Sequence, residues 1–329
     1  MNIMNKFFTG ILVMFFFMLL NGCQKKIDEF IPDSNSLNAP DTVWQAVVPS
    51  GSALVSLRND LKQLPAYDSF AYNNTGIVFN SGNYSLTVPP NALSTAGGIL
   101  TVGSVVRESL LLQRKGDYII QSMPTISAGR LLISGGEFLL GLKTGSSELH
   151  VSTGDSLTIK FNSTNLFPAT YVYNLTGDIT TGYEWALTTE PALNRVNTTP
   201  AGYEVIVNRL QWVQPAYLFD TTGIPETIFS LKLPSNYTNV NTEAYISFNG
   251  MQCVANMNGN VGNRSFVSGP LPVGQPVTIV VISKQAGDYY LGIVQTTTAL
   301  PSSGTGTQEA VITPVKTSLA GIRSYLANL

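Results

Sequence analysis

Most of the chain after residue 43 consists of short apolar runs that Gly, Pro, Asn or Asp interrupts about every ten residues. Residues 84–88 alternate apolar and polar side chains and end at Pro89-Pro90, which predicts a half-buried strand. The runs at 157–161, 245–248 and 277–282 are also rich in β-branched and aromatic residues. This order of strands predicts an all-β fold: two or three antiparallel β-sandwich domains in tandem.

One segment near the start of the first domain has helical rather than strand periodicity. Its apolar residues recur at spacings of three and four, between Ser52 as a candidate N-cap and Pro65 as a stop. We therefore expect a short amphipathic helix that buries Leu54, Leu57, Leu61 and Leu64.

A second helix is expected at the C-terminus. Thr313-Pro314 has the sequence of an N-cap followed by a first helical turn. The apolar residues beyond it form one seam, which predicts that the helix packs on the body of the protein through Val315, Leu319, Ile322, Leu326 and Leu329.

Composition excludes one class of partner. Of the 329 residues, 44% are hydrophobic, which is enough for a sizeable core, and only 12% are charged. The formal net charge is -2, so the chain has no basic field to attract phosphate groups. We expect no nucleic-acid partner.

The N-terminus is typical of an exported protein. Asn5 and Lys6 precede an apolar run over residues 7–20, and the small residue Gly22 precedes Cys23. This is the pattern of a secretory signal peptide over residues 1–22, because the run is short for a membrane span. The alternative is an uncleaved anchor helix.

Residues 20–23, Leu-Asn-Gly-Cys, resemble the lipobox of bacterial lipoproteins. The resemblance implies cleavage before Cys23, a diacylglyceryl group on its thiol and an acylated new N-terminus. Three acyl chains anchor a protein firmly, because two already suffice. The resemblance therefore implies a membrane partner through this lipid, with residues 23–42 as a flexible tether.

The predicted organisation continues with a first sandwich, a second β region, an Ig-like sandwich and a linker with the C-terminal helix. The corresponding ranges are 43–161, 162–235, 236–299 and 300–329.

The first sandwich resembles a ZU5-like domain. The resemblance lies in residues 85–93, Ser-Leu-Thr-Val-Pro-Pro-Asn-Ala-Leu, and in the strand that follows at 98–102. Residues 123–125 and 134–138, which contain Gly135-Gly136, are similar to uncharacterised lipoproteins of Bacteroidetes-type bacteria. These resemblances imply a β-sandwich fold more than an activity.

Some relatives of ZU5 domains cleave themselves before a Ser or Thr, with a His two residues upstream. This chain has His150-Val151-Ser152, whose outer residues share one face if the segment is a strand. The resemblance implies a candidate cut between Val151 and Ser152, in which His150 deprotonates the hydroxyl of Ser152. The alternative is a histidine that faces solvent.

Trp185 and Trp212 are candidate platforms for stacking on sugar rings. Core packing is the alternative for both, because large aromatic side chains dominate protein cores. Cys253 lies in apolar surroundings, which predicts a buried and inert thiol.

Other chemistry finds little support. His150 is the only histidine, which disfavours zinc, and no serine lies in a Gly-x-Ser-x-Gly elbow. No spacing of the acidic residues selects a catalytic pair. We expect no cofactor, no metal and no enzymatic activity.

The sequence therefore predicts a non-catalytic lipoprotein of the outer membrane, a structural or binding module for an envelope protein or glycan. A Lys-then-acid run after Cys23, at residues 24–29, resembles a surface-export signal and favours display on the cell surface. The alternatives are a carbohydrate-binding accessory lipoprotein for nutrient capture and a self-cleaving adhesin-like protein.

Overall fold

The computed structural model describes residues 43–73, 75–99, 102–163, 166–168, 171–178, 182–301 and 307–329. These residues belong to one compact unit, Asn38–Leu329. Strands predominate and the helices are short, which confirms the predicted all-β class. None of the helices in these ranges has the length and apolar character needed to cross a bilayer.

Sheet 1 has six strands along its main path and three short strands attached to it. In spatial order the path is β1 (Ala66–Tyr72), β6 (Gly103–Leu112), β9 (Glu137–Thr144), β17 (Trp212–Leu218), β13 (Tyr171–Asp178) and β14 (Gly182–Leu187). The attached strands are β7 (Ile126–Ser127), β8 (Arg130–Ser134) and β10 (Ser147–Glu148).

Sheet 2 packs face to face against sheet 1. Its order is β15 (Arg195–Thr199), β16 (Gly202–Val207), β12 (Leu157–Asn162), β3 (Tyr84–Val88) and β2 (Ile77–Ser81). Leu86 and Ile159 of sheet 2 join Phe138 and Leu140 of sheet 1 in one buried cluster. The predicted alternation at residues 84–88 is confirmed, because Leu86 and Val88 are buried.

Sheet 3 is formed by the second half of the chain. Its order is β26 (Gln308–Val311), β19 (Phe229–Lys232), β22 (Ser265–Ser268), β21 (Val254–Asn260), β20 (Thr242–Phe248), β24 (Pro276–Gln285), β25 (Asp288–Thr297) and β27 (Val315–Thr317). All its pairs are antiparallel except β19 with β26. Two smaller sheets hold β11 (His150–Val151), β4 (Leu93–Thr95) and β5 (Gly98–Ile99), and β18 (Glu226–Thr227) with β23 (Leu271–Pro272).

Three helices pack on one face of sheet 3: α1 (Ala53–Leu61), α2 (Lys115–Ile120) and α3 (Leu319–Ala327). Helix α1 confirms the prediction, since the Ser52 hydroxyl accepts a hydrogen bond from the Val55 amide at 3.4 Å. The helix ends before Leu64, which is 81% exposed.

The predicted start of the C-terminal helix is wrong. Residues 315–317 pair with β25 as an edge strand, and Ser318 is the N-cap, accepting from the Gly321 amide at 3.0 Å. At these residues the hydrogen bonds to β25 outweigh the helix-starting signal of Thr313-Pro314. The predicted packing is confirmed for Ile322 and Leu326, which are fully buried against the other helices, but Val315 lies in the edge strand and is 70% exposed.

Strand pairing crosses several of the boundaries predicted from sequence. Strands β13 and β17, which follow residue 161, lie in sheet 1, where β17 pairs with β9 and β13 pairs with β17. Strands β19, β26 and β27 extend sheet 3 outside residues 236–299. Turn residues mark where strands end, but they carry no information about which strands pair over long distances.

Candidate functional site

The predicted lipid-attachment residue, Cys23, lies outside the described residues. The other cysteine, Cys253, is fully buried in the cluster under sheet 3. Burial in these apolar surroundings raises the pKa of the Cys253 thiol. This thiol is therefore held in its protonated form, which is a poor nucleophile.

The candidate cleavage dipeptide lies at the rim of the first sandwich. His150 is exposed, and its strand pairs with β4. The Ser152 hydroxyl donates to the Asn91 carbonyl at 2.8 Å, and its backbone amide donates to the Ala92 carbonyl at 2.9 Å. The hydroxyl proton is thus directed at a backbone oxygen and not at the imidazole, which is the opposite of what general-base activation requires.

Trp185 does not offer a stacking surface. Its side chain is 1% exposed and packs with Leu132, Tyr173 and Ala216, so protein covers both faces of the indole. Trp212 is half-buried against the same cluster and against the helices. The prediction of a sugar platform at Trp185 is corrected, because the ring is part of the core.

The candidate site is a cleft between the edge of sheet 1 and sheet 3. Its volume is about 670 Å3, within the usual range of about 300–1,000 Å3 for ligand sites. Residues 46–48, helix α1, strand β14 and strands β20 and β21 contribute to its lining. Its polar lining residues include Arg58, Tyr183, Asn239, Glu243, Tyr245, Asn256 and Asn258.

Strand register explains why residues distant in sequence share the cleft. Tyr245 pairs with Asn256 across β20 and β21, so these two side chains point to the same face. Glu243 and Asn258 lie two positions further along their strands and therefore share that face. Helix α1 packs on this face and places Leu54 and Arg58 in the cleft.

A charged network of Arg58 and Glu243 lies in the cleft. Arg58 Nε donates to Glu243 Oε2 at 2.9 Å, and the two side chains are 15% and 6% exposed. The Tyr245 hydroxyl donates to the same oxygen at 3.0 Å, and the Ser122 hydroxyl lies 3.4 Å from both carboxylate oxygens. Burial tends to lower the pKa of Arg58, but the Glu243 carboxylate outweighs this and the pKa is raised. Arg58 therefore keeps its positive charge beside the Glu243 carboxyl group.

The segment that leads into α1 is attached to the cleft by hydrogen bonds. Asn239 Oδ1 accepts from the Gln45 amide at 3.0 Å, and Asn239 Nδ2 donates to the Gln45 carbonyl at 2.6 Å. The Leu54 amide donates to the Val240 carbonyl at 2.8 Å, and Trp44 packs on Phe266 with ring centroids 5.1 Å apart. These contacts hold residues 44–48 as one side of the cleft.

The polar groups left for an incoming molecule are amides and a phenol. Asn256 Nδ2 donates to Asn258 Oδ1 at 2.8 Å, and Asn258 is exposed. Tyr183 is half-buried, and within the described ranges its hydroxyl has no hydrogen-bond partner. Burial raises the pKa of Tyr183, so the phenol stays protonated and can donate.

The sequence analysis did not single out Tyr183, although it selected Trp185 on the same strand. Tyr183 and Trp185 lie two positions apart on β14 and share one face. Alternation shows that the two rings point the same way but not which of them a neighbouring sheet covers. The larger ring made Trp185 the candidate for sugar stacking, but Tyr183 is the residue that reaches the cleft.

A metal centre finds no support in the parts of the chain that the structure describes, where no three His, Cys, Asp or Glu side chains cluster. Comparison with known proteins gives no relative: no family model, curated protein or solved structure matches this chain.

Proposed function

We propose that the protein is a non-catalytic lipoprotein of the cell envelope, anchored through Cys23, and that it binds a protein or glycan in the cleft. The observation that carries the proposal is the cleft itself, which is large, concave and lined with neutral hydrogen-bonding groups beside one compensated ion pair. Such a site suits recognition, because its amide and phenol groups can donate and accept hydrogen bonds to a bound molecule.

The position of the cleft fits an anchored protein. Val43, where the described structure begins, lies twenty positions after Cys23. A chain of this length spans at most about 70 Å when fully extended. Residues 46–48 line the cleft, so the proposed lipid would keep the binding site within about this distance of the outer membrane. The Lys-then-acid run at residues 24–29 favours display on the cell surface.

Of the two alternatives, a carbohydrate-binding accessory lipoprotein is favoured by the lining of the cleft. Tyrosine and asparagine side chains supply ring faces and paired donors and acceptors, which hydroxyl-rich molecules use. Self-cleavage before Ser152 is not favoured, since the hydroxyl of Ser152 donates to Asn91.

Anchoring is tested by growing the producing bacterium with labelled palmitate and comparing wild type with Cys23→Ala. Cys253→Ala is the matched control, because it removes the only other thiol. We expect label in wild type and in Cys253→Ala but not in Cys23→Ala, which should be lost from the membrane fraction. Unlabelled wild-type protein in the detergent-free supernatant would contradict the proposal. Protease treatment of intact cells then tests surface display.

A further inference from the structure

We propose that the cleft binds an uncharged saccharide, and that Tyr183 and the Asn256–Asn258 amide pair are its specificity-determining residues. This inference rests on the proposed binding function and specifies the chemical class of its ligand. Two observations support it: the cation in the cleft is already paired, and the polar groups without internal partners are neutral amides and a phenol.

Charge in the cleft disfavours an anionic ligand. Arg58 is the one cation among the described residues of the lining, and Glu243 lies beside it. The Glu243 carboxylate already forms an ion pair with the Arg58 guanidinium, with Nε and Oε2 2.9 Å apart. Within the described residues the lining therefore offers no uncompensated cation to phosphate, sulfate or uronate groups.

The remaining polar groups suit hydroxyl groups. In the Asn256–Asn258 pair one amide donates to the other, which leaves the Asn258 amide NH2 as a donor and the Asn256 carbonyl as an acceptor. A sugar hydroxyl is both donor and acceptor, so two adjacent hydroxyls can satisfy both amides at once. An aliphatic ligand would leave these groups without partners, at a cost of about 1–3 kcal/mol for each buried group.

Tyr183 adds an aromatic surface and a second donor. The ring is only half-buried, unlike Trp185 on the same face of β14, and its hydroxyl has no partner within the described ranges. Aromatic side chains provide contact area at a low cost in conformational entropy. The apolar face of a sugar ring can lie on the phenol ring while the phenol hydroxyl bonds to a ring substituent.

The test uses the full mature protein in detergent and a set of named probes. These are neutral gluco-, manno-, xylo- and galacto-hexasaccharides, with oligogalacturonate and a sulfated oligosaccharide as charged counterparts. Array binding identifies the best probe, and calorimetry measures its Kd for wild type and for the variants Tyr183→Ala, Tyr183→Phe and Asn258→Ala. Tyr67→Ala is the matched control, since Tyr67 is 66% exposed and lies outside the cleft.

We expect a neutral hexasaccharide to bind, Tyr183→Ala to weaken it by about tenfold or more, and Asn258→Ala by about fivefold. Tyr183→Phe should keep part of the affinity, since it retains the ring, and Tyr67→Ala should bind as wild type does. The thermal unfolding midpoint of each variant shows that it is folded.

Three results would overturn the inference: binding confined to the charged probes, neutral binding that the cleft variants leave unchanged, or no binding of any saccharide. None of them bears on palmitate labelling of Cys23, so failure here is distinguishable from failure of the anchoring proposal. A protein partner that binds in the cleft while all saccharides fail would keep the proposed function and reject the saccharide.

Discussion

Glu137 and Gln214 are buried side by side on neighbouring strands, and neither side chain has a hydrogen-bond partner in the described structure. They lie one position beyond the Phe138–Val213 pair on β9 and β17, so their side chains share one face of sheet 1. Both residues are 0% exposed, and all four of their terminal polar atoms are buried without a partner. A carboxyl group in this position is stable only in its neutral form.

This arrangement predicts that stability falls as pH rises. Burial, and to a smaller extent Asp117, raises the pKa of Glu137 well above its ordinary value of 4.5. The folded protein then binds more protons than the unfolded chain, so the free energy of unfolding decreases from about pH 4.5 upward until the pKa of the folded state is reached. Urea unfolding at pH 5 and pH 8 measures this decrease.

Glu137→Gln is the matched variant for that experiment, because it is neutral at every pH and nearly isosteric. At pH 8 we expect it to unfold at a higher urea concentration than wild type, with a gain of about 1–3 kcal/mol. It should also lose much less stability than wild type between the two pH values. Equal pH dependence in the two proteins would show that Glu137 is not the group that titrates.

The ion pair in the cleft predicts strong coupling between two residues. Arg58→Met leaves the Glu243 carboxylate, which is 6% exposed, without its cation, and removing one partner of a buried pair costs about 3–5 kcal/mol. We expect the double variant Arg58→Met, Glu243→Met to lose less than the sum of the single losses. A double-mutant cycle by urea unfolding measures the coupling, and additive losses would contradict it.

Docking of the last helix depends on the lack of a side chain at Gly116. A Cβ atom on this residue of α2 would overlap the backbone carbonyl of Leu326 in α3. We expect Gly116→Ala to destabilise the protein by about 1–3 kcal/mol, since neither backbone can move freely. Gly250→Ala is the control, because nothing lies within 4 Å of its added Cβ. Equal urea midpoints for the two variants would refute this contact.

Thiol counting tests burial and lipidation together. The sequence has two cysteines, and Cys253 is 0% exposed with a raised thiol pKa. We expect no reaction with Ellman's reagent in native protein at pH 8 and one thiol per chain in guanidinium chloride. Two thiols in the denatured protein would show that Cys23 carries no lipid, and a reactive native protein would show that Cys253 is accessible.

Local patterns predicted the elements of this fold better than their arrangement. The leucine spacing and Ser52 identified α1, because an amphipathic helix and its cap are encoded in adjacent residues. Helix α2 was missed: Lys-Gly-Asp-Tyr-Ile-Ile has weak helical propensity, and contacts between Arg114 and Asp117 stabilise its start.

The cleft could not be predicted from local sequence, because its residues come together only through tertiary packing. Arg58 and Glu243 are 185 residues apart, and Asn239 meets Gln45 across 194 residues. No periodicity or motif spans such distances. Tyr183 was recognisable only as one of two aromatic residues on a strand face, and packing decided which one is accessible.

A crystal structure of the protein with its best-binding neutral hexasaccharide tests the central claim most directly. We predict sugar density in the cleft, with one ring against Tyr183 and hydroxyl groups within hydrogen-bond distance of Asn256 and Asn258. Density for the sugar at Trp212 or on another surface, with the cleft empty, would contradict the account.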